Sequence, residues 1–155
     1  MEFNKELWNL GRQIEDKTLP VINSFFECNF ERNENNIWDV LDFKDDDNRI
    51  IVEIKGRRIP HDRYEDTIIT ASKVTAGHQA IEVGYRVFFV FVFTDKTLYR
   101  ELKEDSSFKV EFTGTNTIPH YLIPIKELVE IDVEGDKFID EEEPIKEEED
   151  KEPNL

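Results

Sequence analysis

One uninterrupted apolar segment, Arg86 to Phe93, constrains the fold more than any other feature of the sequence. It reads Arg-Val-Phe-Phe-Val-Phe-Val-Phe and shows no alternation between polar and apolar side chains. A strand with water on one face alternates in this way, whereas a strand covered on both faces does not. The segment is far too short to span a bilayer, which takes roughly 20 residues. We therefore predict a buried strand in the middle of a sheet.

The residues that precede this strand predict a short strand and a crossover helix. Thr67 to Thr70 is short and apolar, and polar side chains that can cap a helix follow it. One face of the next segment then recurs at the helical period, with Val74, His78, Ile81 and Tyr85. Strand, helix and buried strand in this order are typical of an α/β domain.

The N-terminal half predicts a helix and a hairpin. Residues 3 to 16 carry apolar side chains at helical spacing, and residues 21 to 27 form either a second short helix or a bent continuation past Pro20. Strands are predicted over Ile37 to Phe43 and over Arg49 to Lys55, because a polar Asp/Asn turn separates two β-branched and aromatic segments.

The C-terminal half adds a second predicted hairpin, from Thr97 to Leu102 and from Phe108 to Thr113. Residues 121 to 131 then close a single folded domain, which we place at residues 1 to 131. Residues 132 to 155 hold 12 acidic residues and 3 lysines, and account for −9 of the chain's net charge of −16. Such a segment repels itself and has little to bury, so we predict a disordered acidic tail.

The single cysteine, Cys28, excludes an internal disulfide framework and favours a reducing compartment. The N-terminus mixes charges and lacks the apolar stretch of a signal peptide. We therefore expect an intracellular protein, in the cytoplasm or the nucleus, with no membrane partner.

Glu53 and Lys55 are the side chains in this sequence whose setting best suits catalysis. They lie near the end of an apolar strand and on one face of it, because strand side chains alternate with a period of two. An acidic residue on the neighbouring strand would bring two carboxylates together, and a divalent cation relieves their repulsion. Mg²⁺ accepts one or two carboxylates plus phosphate oxygens, and a nearby lysine can orient the attacking water. The set outlines a metal-dependent phosphodiesterase.

Asp39, Glu53 and Lys55, set on a hairpin that follows a helix and precedes a crossover helix and a buried strand, resemble the PD-(D/E)XK nuclease superfamily. The resemblance covers residues 6 to 93 and consists of the order of elements rather than an extended sequence identity. One motif position differs, because Trp38 precedes Asp39 where the superfamily's name has a proline. It implies a restriction-endonuclease-like fold: a mixed central sheet flanked by helices, here with an additional C-terminal β-hairpin.

By this resemblance, Asp39, Glu53 and the backbone carbonyl of Ile54 would bind the metal, and Lys55 would assist the water. A glutamate of the first helix often joins the set; Glu15 is the first choice here and Glu6 the reserve. The predicted contacts to nucleic acid are Arg57, Arg58, Lys73 and Gln79.

Asp42 is the alternative to Asp39. The two residues are three apart, so on a regular strand they point to opposite faces, and only one can join Glu53. Asp39 is favoured because it leaves a longer strand before Glu53 and follows an aromatic residue, as in the superfamily. The alternation rule by itself does not decide between them.

The resemblance implies a Mg²⁺-dependent endo- or exonuclease, with Mn²⁺ as a substitute and DNA as the expected nucleic acid. Members that cut both strands commonly act as dimers, so a homodimer is compatible with it. The overall acidity, with a sequence pI of 4.6, opposes simple binding to phosphates. The alternative is therefore an inactive nuclease-fold protein that serves as an acidic binding or inhibitory module, with the tail contacting a basic protein.

Overall fold

The computed structural model describes residues 4–33, 41–113 and 118–132. The described helices and strands follow in chain order: α1 Lys5–Phe26, β1 Glu31–Arg32, β2 Phe43–Asp45, β3 Ile50–Gly56, β4 Asp66–Thr70, α2 Ala71–Glu82, β5 Arg86–Val92, β6 Thr97–Leu102, β7 Lys109–Thr113, β8 Ile118–Pro124, a 3₁₀ turn Ile125–Glu127 and β9 Val129–Ile131. None of the described helices is long and apolar enough to cross a membrane. The predicted tail falls outside the described residues from residue 133 onward.

A mixed six-stranded sheet forms the centre of the fold, in the order β1-β2-β3-β5-β6-β9. β3 and β5 run parallel, and the other neighbouring pairs are antiparallel. Every residue of β5 after Arg86 is buried, which confirms the prediction of a strand covered on both faces. The predicted class, a mixed sheet flanked by helices, is therefore present.

Each face of this sheet has its own hydrophobic core. Ile14 and Ile22 of α1 pack with Val52, Ile54 and Val90 on one face. The other face, from which Ile51 and Phe89 point, packs against α2 and against a second sheet of three strands in the order β4-β8-β7. Neighbouring residues of β3 therefore face different helices, which decides which side chains can meet Glu53.

α1 is one helix where the sequence left two possibilities open. Asn4 begins it, because its side chain accepts a hydrogen bond from the N–H of Leu7 at 3.1 Å. Glu27 ends it in the left-handed conformation, with φ of 55°. Pro20 lies inside the helix, where the buried stripe of Ile14, Thr18 and Ile22 holds both halves against the sheet. Packing here outweighs the cost of an internal proline.

Gly77 of α2 lies against the sheet. A Cβ atom on Gly77 would lie 2.6 Å from Cδ2 of Leu102 and 3.4 Å from Cγ1 of Val87. The glycine therefore weakens the helix locally but lets it lie closer to β5 and β6.

The predicted second hairpin is wrong. β6 pairs with β5 and β9, while β7 pairs with β8 in the other sheet. A tight turn, closed by a hydrogen bond of 2.8 Å from the N–H of Phe93 to the carbonyl of Lys96, joins β6 to β5 instead. A C-terminal β-hairpin does exist, but it consists of β7 and β8.

Candidate functional site

The edge of β3 loses its neighbouring strand just before Glu53. β2 pairs with β3 only from Asp45 opposite Ile50 to Phe43 opposite Val52. Beyond that point, in the described part of the chain, no strand pairs with β3 on this side. The predicted strand over residues 37 to 43 is thus largely unconfirmed: residues 37 to 40 lie outside the described residues, and Leu41 and Asp42 precede β2.

Asp42 continues the β2 register without being part of the strand. Its N–H donates to Oε1 of Glu53 at 3.1 Å, and its Oδ2 accepts from the N–H of Ile54 at 2.8 Å. Phe43 stands opposite Val52, so Asp42 is the residue that comes to stand opposite Glu53. The two acidic residues therefore meet at the open edge of the sheet.

Glu53 is buried, with 1% of its surface exposed. It lies on the face of β3 that packs towards α2, two residues after Ile51. Nζ of Lys73, in the first turn of α2, lies 3.2 Å from its Oε2. A buried carboxylate is costly without such a partner. Lys73, predicted to contact nucleic acid, is thus paired with Glu53, the glutamate predicted to be catalytic.

Glu15 approaches the same carboxylates from α1. It is held by Arg32, whose Nη1 lies 2.7 Å from Oε1 of Glu15. Burial raises the pKa of Glu15, the ion pair with Arg32 opposes this, and the negative charge of Glu53 raises it further. The structure thus brings the predicted glutamate towards Glu53. The reserve residue, Glu6, is exposed and lies nine residues earlier, roughly 13 Å along the helix axis.

Asp42 has a raised pKa. Burial, and then the charge of Glu15, raise its pKa from 3.8 to about 6, although Lys73, the N–H of Ile54 and Lys55 favour its charged form. A carboxylate in this state is poorly compensated by its protein surroundings. Carboxylates with strongly perturbed pKa values are enriched at functional sites.

Lys55 completes the set from β3. It follows Glu53 by two residues and therefore lies on the same face, but it is only half-buried. Its charge acts on Asp42, which places its ammonium group near the carboxylates and within reach of solvent. The N–H of Ile54 is used by Asp42, and the predicted role of its carbonyl as a metal ligand stays a prediction.

Asp39, the residue favoured from the sequence, lies outside the described residues. The acidic residue that the described structure sets beside Glu53 is the alternative, Asp42. The register of the hairpin decides this, and a turn of residues 46 to 49 with Arg49 in the left-handed conformation, at φ of 59°, sets that register. The turn type sets which residues of β2 and β3 stand opposite each other, so the sequence could have predicted this register only if it had specified the turn type.

The two arginines after the motif are buried, with 5% of Arg57 and 7% of Arg58 exposed. Nη2 of Arg57 donates to the carbonyl of Ile68 at 2.7 Å, which joins the segment just after β3 to β4 of the other sheet. This placement argues against the predicted contacts to nucleic acid. Gln79 is exposed but lies six residues after Lys73, roughly 9 Å along α2 and on a different face.

A second group of possible metal ligands lies in the loops beyond the carboxyl ends of β3 and β5. His61, Asp62 and Asp95 each offer one ligand atom, and these atoms lie within 4.8 Å of one another. Nδ1 of His61 is 2.7 Å from Oδ2 of Asp95, and the N–H of His61 donates to Oδ1 at 2.9 Å. These bonds tie two loops together. Sequence analysis missed the group, because 33 residues separate Asp62 from Asp95.

The carboxylates of Glu15, Asp42 and Glu53, by contrast, do not all come within 4.8 Å of one another among the described residues. Ion pairs with Arg32 and Lys73 compensate two of them. Asp42 and Glu53 are joined directly, through the hydrogen bond from the N–H of Asp42 to Oε1 of Glu53. Comparison of the chain with protein-family models, curated proteins and solved structures found no match.

Proposed function

We propose that the protein is a metal-dependent nuclease of the PD-(D/E)XK superfamily that hydrolyses phosphodiester bonds in DNA. The observation that carries this proposal is the meeting of Asp42 and Glu53 at the open edge of β3, with Lys55 on the same face. Two carboxylates and a lysine can support metal-assisted hydrolysis of a phosphodiester, by holding the cation and by stabilising the charge that develops on the phosphate.

The order of elements supports a restriction-endonuclease-like fold. A helix, a hairpin that bears the acidic residues, a crossover helix and a parallel buried strand follow one another as in the superfamily. Lys73, at the start of the crossover helix, stands where members often carry a basic or amide side chain. Its distance of 3.2 Å from Glu53 supports a role in the site.

The donor set fits a hard divalent cation such as Mg²⁺ or Mn²⁺. Asp42 and Glu53 would hold the cation through carboxylate oxygens, and Glu15 is near enough to act on the charge of Asp42. A bound cation would favour the charged form of Asp42 and lower its raised pKa. When bound, the cation supplies Lewis-acid stabilisation of the phosphate and lowers the pKa of a water molecule.

The side chains around the carboxylates have separate roles in this proposal. Lys55 places a positive charge where negative charge develops on the scissile phosphate, and it can hold the attacking water. Lys73 orients Glu53 and compensates its charge in the buried site. Arg32 does the same for Glu15. The lysines and the arginine also offset the repulsion between an acidic protein and DNA.

A second candidate function has its own support. Lys73 and Arg32 already compensate Glu53 and Glu15, and the chain carries a net charge of −16. A nuclease fold in which internal ion pairs have replaced the cation would act as an acidic binding or inhibitory module for a basic protein.

Cleavage assays with matched variants separate the two candidates. Labelled single- and double-stranded DNA and RNA are incubated with the full chain in Mg²⁺, in Mn²⁺ and with chelator. We expect metal-dependent cleavage of DNA that falls at least about 100-fold in Lys55→Ala, Asp42→Asn and Glu53→Gln. Asp39→Asn is the matched control and should retain activity.

Each other result has a defined meaning. Cleavage that persists unchanged in Lys55→Ala comes from a contaminant or from another site. Loss in Asp39→Asn with retention in Asp42→Asn would assign the metal ligand to Asp39. If no substrate is cut and Mn²⁺ does not stabilise the protein, the nuclease proposal is wrong and the acidic binding module replaces it.

A further inference from the structure

β7 is the outer strand of the three-stranded sheet. Lys109 to Thr113 pair with β8 on one side, and the order of the sheet is β4-β8-β7. In the described part of the chain, no strand pairs with the other side of β7. Backbone N–H and C=O groups at such an edge are a ready template for another strand.

The side chains of β7 make this edge apolar on one face. Val110 is 51% exposed and Phe112 is 65% exposed. Val110 stands opposite Tyr121, which in turn stands opposite the fully buried Ile69. One face of the three-stranded sheet is therefore buried in the core at β4 and becomes exposed to solvent at β7. Two neighbouring apolar side chains on an unpaired edge indicate an interaction surface.

The sequence of this edge is complementary to itself. Phe108, Lys109, Val110, Glu111 and Phe112 read the same in both directions, apart from the exchange of lysine and glutamate. In an antiparallel pair of two copies centred on Val110, each Lys109 stands opposite Glu111 of the second copy. Phe108 then stands opposite Phe112, and Val110 opposite itself. Opposite charges and paired aromatic side chains both stabilise neighbouring strands.

The charges at positions 109 and 111 favour the register centred on Val110 over the neighbouring registers. A pair centred on Lys109 sets two lysines opposite each other, and one centred on Glu111 sets two glutamates opposite each other. A slip by one residue moves Val110 and Phe112 to the other face of the partner strand. Among these registers, only the one centred on Val110 matches both the charges and the apolar face.

We propose that the occupant of this edge is a second copy of the chain, which forms a two-fold symmetric dimer through antiparallel β7 strands. The three-stranded sheets of the two copies then join into one six-stranded sheet, and Val110 and Phe112 form a continuous apolar strip across the join. The same patch serves both copies, as a two-fold interface requires. The proposal does not depend on the nuclease function.

Charge exchange at positions 109 and 111 tests the pairing. Sedimentation equilibrium of the full chain should show a dimer for the wild type. Glu111→Lys and Lys109→Glu should each shift the chain to monomer. Position 109 of each copy stands opposite position 111 of the other, so either change creates two pairs of like charges. The double variant K109E/E111K restores opposite pairs and should restore the dimer. Circular dichroism establishes that each variant is folded.

Net charge is controlled in this design. Glu111→Lys makes an acidic chain less negative, which by itself would favour association rather than prevent it. Glu104→Lys makes the same change of charge at an exposed position outside β7, and should remain dimeric. A monomeric wild type, a dimeric E111K variant, or a folded double variant that stays monomeric would each overturn the proposal.

A distance measurement tests the register. A spin label on Val110→Cys should give a short distance between the copies, because directly opposed residues have Cα atoms about 4.5–5.5 Å apart. A label on Val83→Cys, which is also exposed but lies at the end of α2, should give a longer distance. The unsubstituted protein, whose Cys28 is buried, reports background labelling. A Val110 distance as long as that of Val83 would refute the register.

Discussion

The N–H of Ile54 donates to the carboxylate of Asp42 at 2.8 Å, so that an acidic side chain binds a backbone group beyond the point where β2 stops pairing. The open edge of β3 thereby acquires a carboxylate without a further strand, next to the buried Glu53. The hydrogen bond also explains why Asp42 is held in a position where burial and Glu15 raise its pKa.

Asp42→Asn should stabilise the protein at neutral pH while abolishing cleavage. In the folded state the pKa of Asp42 is about 6, against 3.8 for the ordinary group, so its charge destabilises the fold as pH rises from 4 to 6. Asparagine keeps the acceptor for Ile54 and removes the charge, for a gain of about 1–3 kcal/mol at pH 7. Urea unfolding at pH 4 and pH 7 measures this: the gain should be small at pH 4, and a loss at pH 7 would contradict it.

Asp45 should show the opposite pH dependence. The N–H of Asn29, and then the side chain and N–H of Asn48, donate to its carboxylate and lower its pKa from 3.8 to about 2. Its contribution is fully present above pH 4 and is lost as pH falls towards 2. Asp45→Asn should cost about 1 kcal/mol at pH 7 and much less at pH 2. Urea unfolding across this range is the measurement, and a constant difference would contradict it.

Mn²⁺ should raise the thermal midpoint of the wild type. At ten times the dissociation constant, one bound ion adds about 1.4 kcal/mol to the free energy of unfolding, a shift of roughly 3–5 °C for a chain of this size. The shift should disappear in Asp42→Asn and Glu53→Gln and persist in Asp39→Asn. Persistence in Glu53→Gln, with loss in His61→Ala, would place the ion at the second group of ligands instead.

Arg57→Met should destabilise the fold by about 2–3 kcal/mol, because it leaves the carbonyl of Ile68 without its buried donor. Arg63→Met, at an exposed position, is the control and should stay within about 0.5 kcal/mol. A phosphate contact would behave differently. Weaker binding to DNA with unchanged stability in Arg57→Met would contradict the structural role.

Gly77→Ala should lower stability by about 1 kcal/mol, since the loss from overpacking against Leu102 exceeds the gain in helix propensity. Gly11→Ala is the matched helical control. A Cβ atom there meets nothing within 4 Å, so this change should stabilise by about 1 kcal/mol. Leu102→Val should partly relieve Gly77→Ala in a double-mutant cycle, and strict additivity would contradict the contact.

Much of the fold could be predicted from local pattern. The apolar segment that became β5, the helical face of α2 and the position of Glu53 and Lys55 on one strand all follow from periodicity over a few residues. The failures concern pairing. The strands β6 and β7 are adjacent in sequence and were expected to pair, yet they belong to different sheets.

The sequence by itself determined the buried central strand, the crossover helix and the acidic and basic residues available to the proposed phosphodiesterase site, because side-chain periodicity and burial act over short distances along the chain. Only the tertiary structure decided that Asp42 stands beside Glu53, that Lys73 reaches it from α2, and that Arg57 and Arg58 are buried. Those outcomes depend on strand register and on the packing of α2 and the second sheet against β3. Both are set by contacts between residues far apart in the chain, which no local pattern specifies.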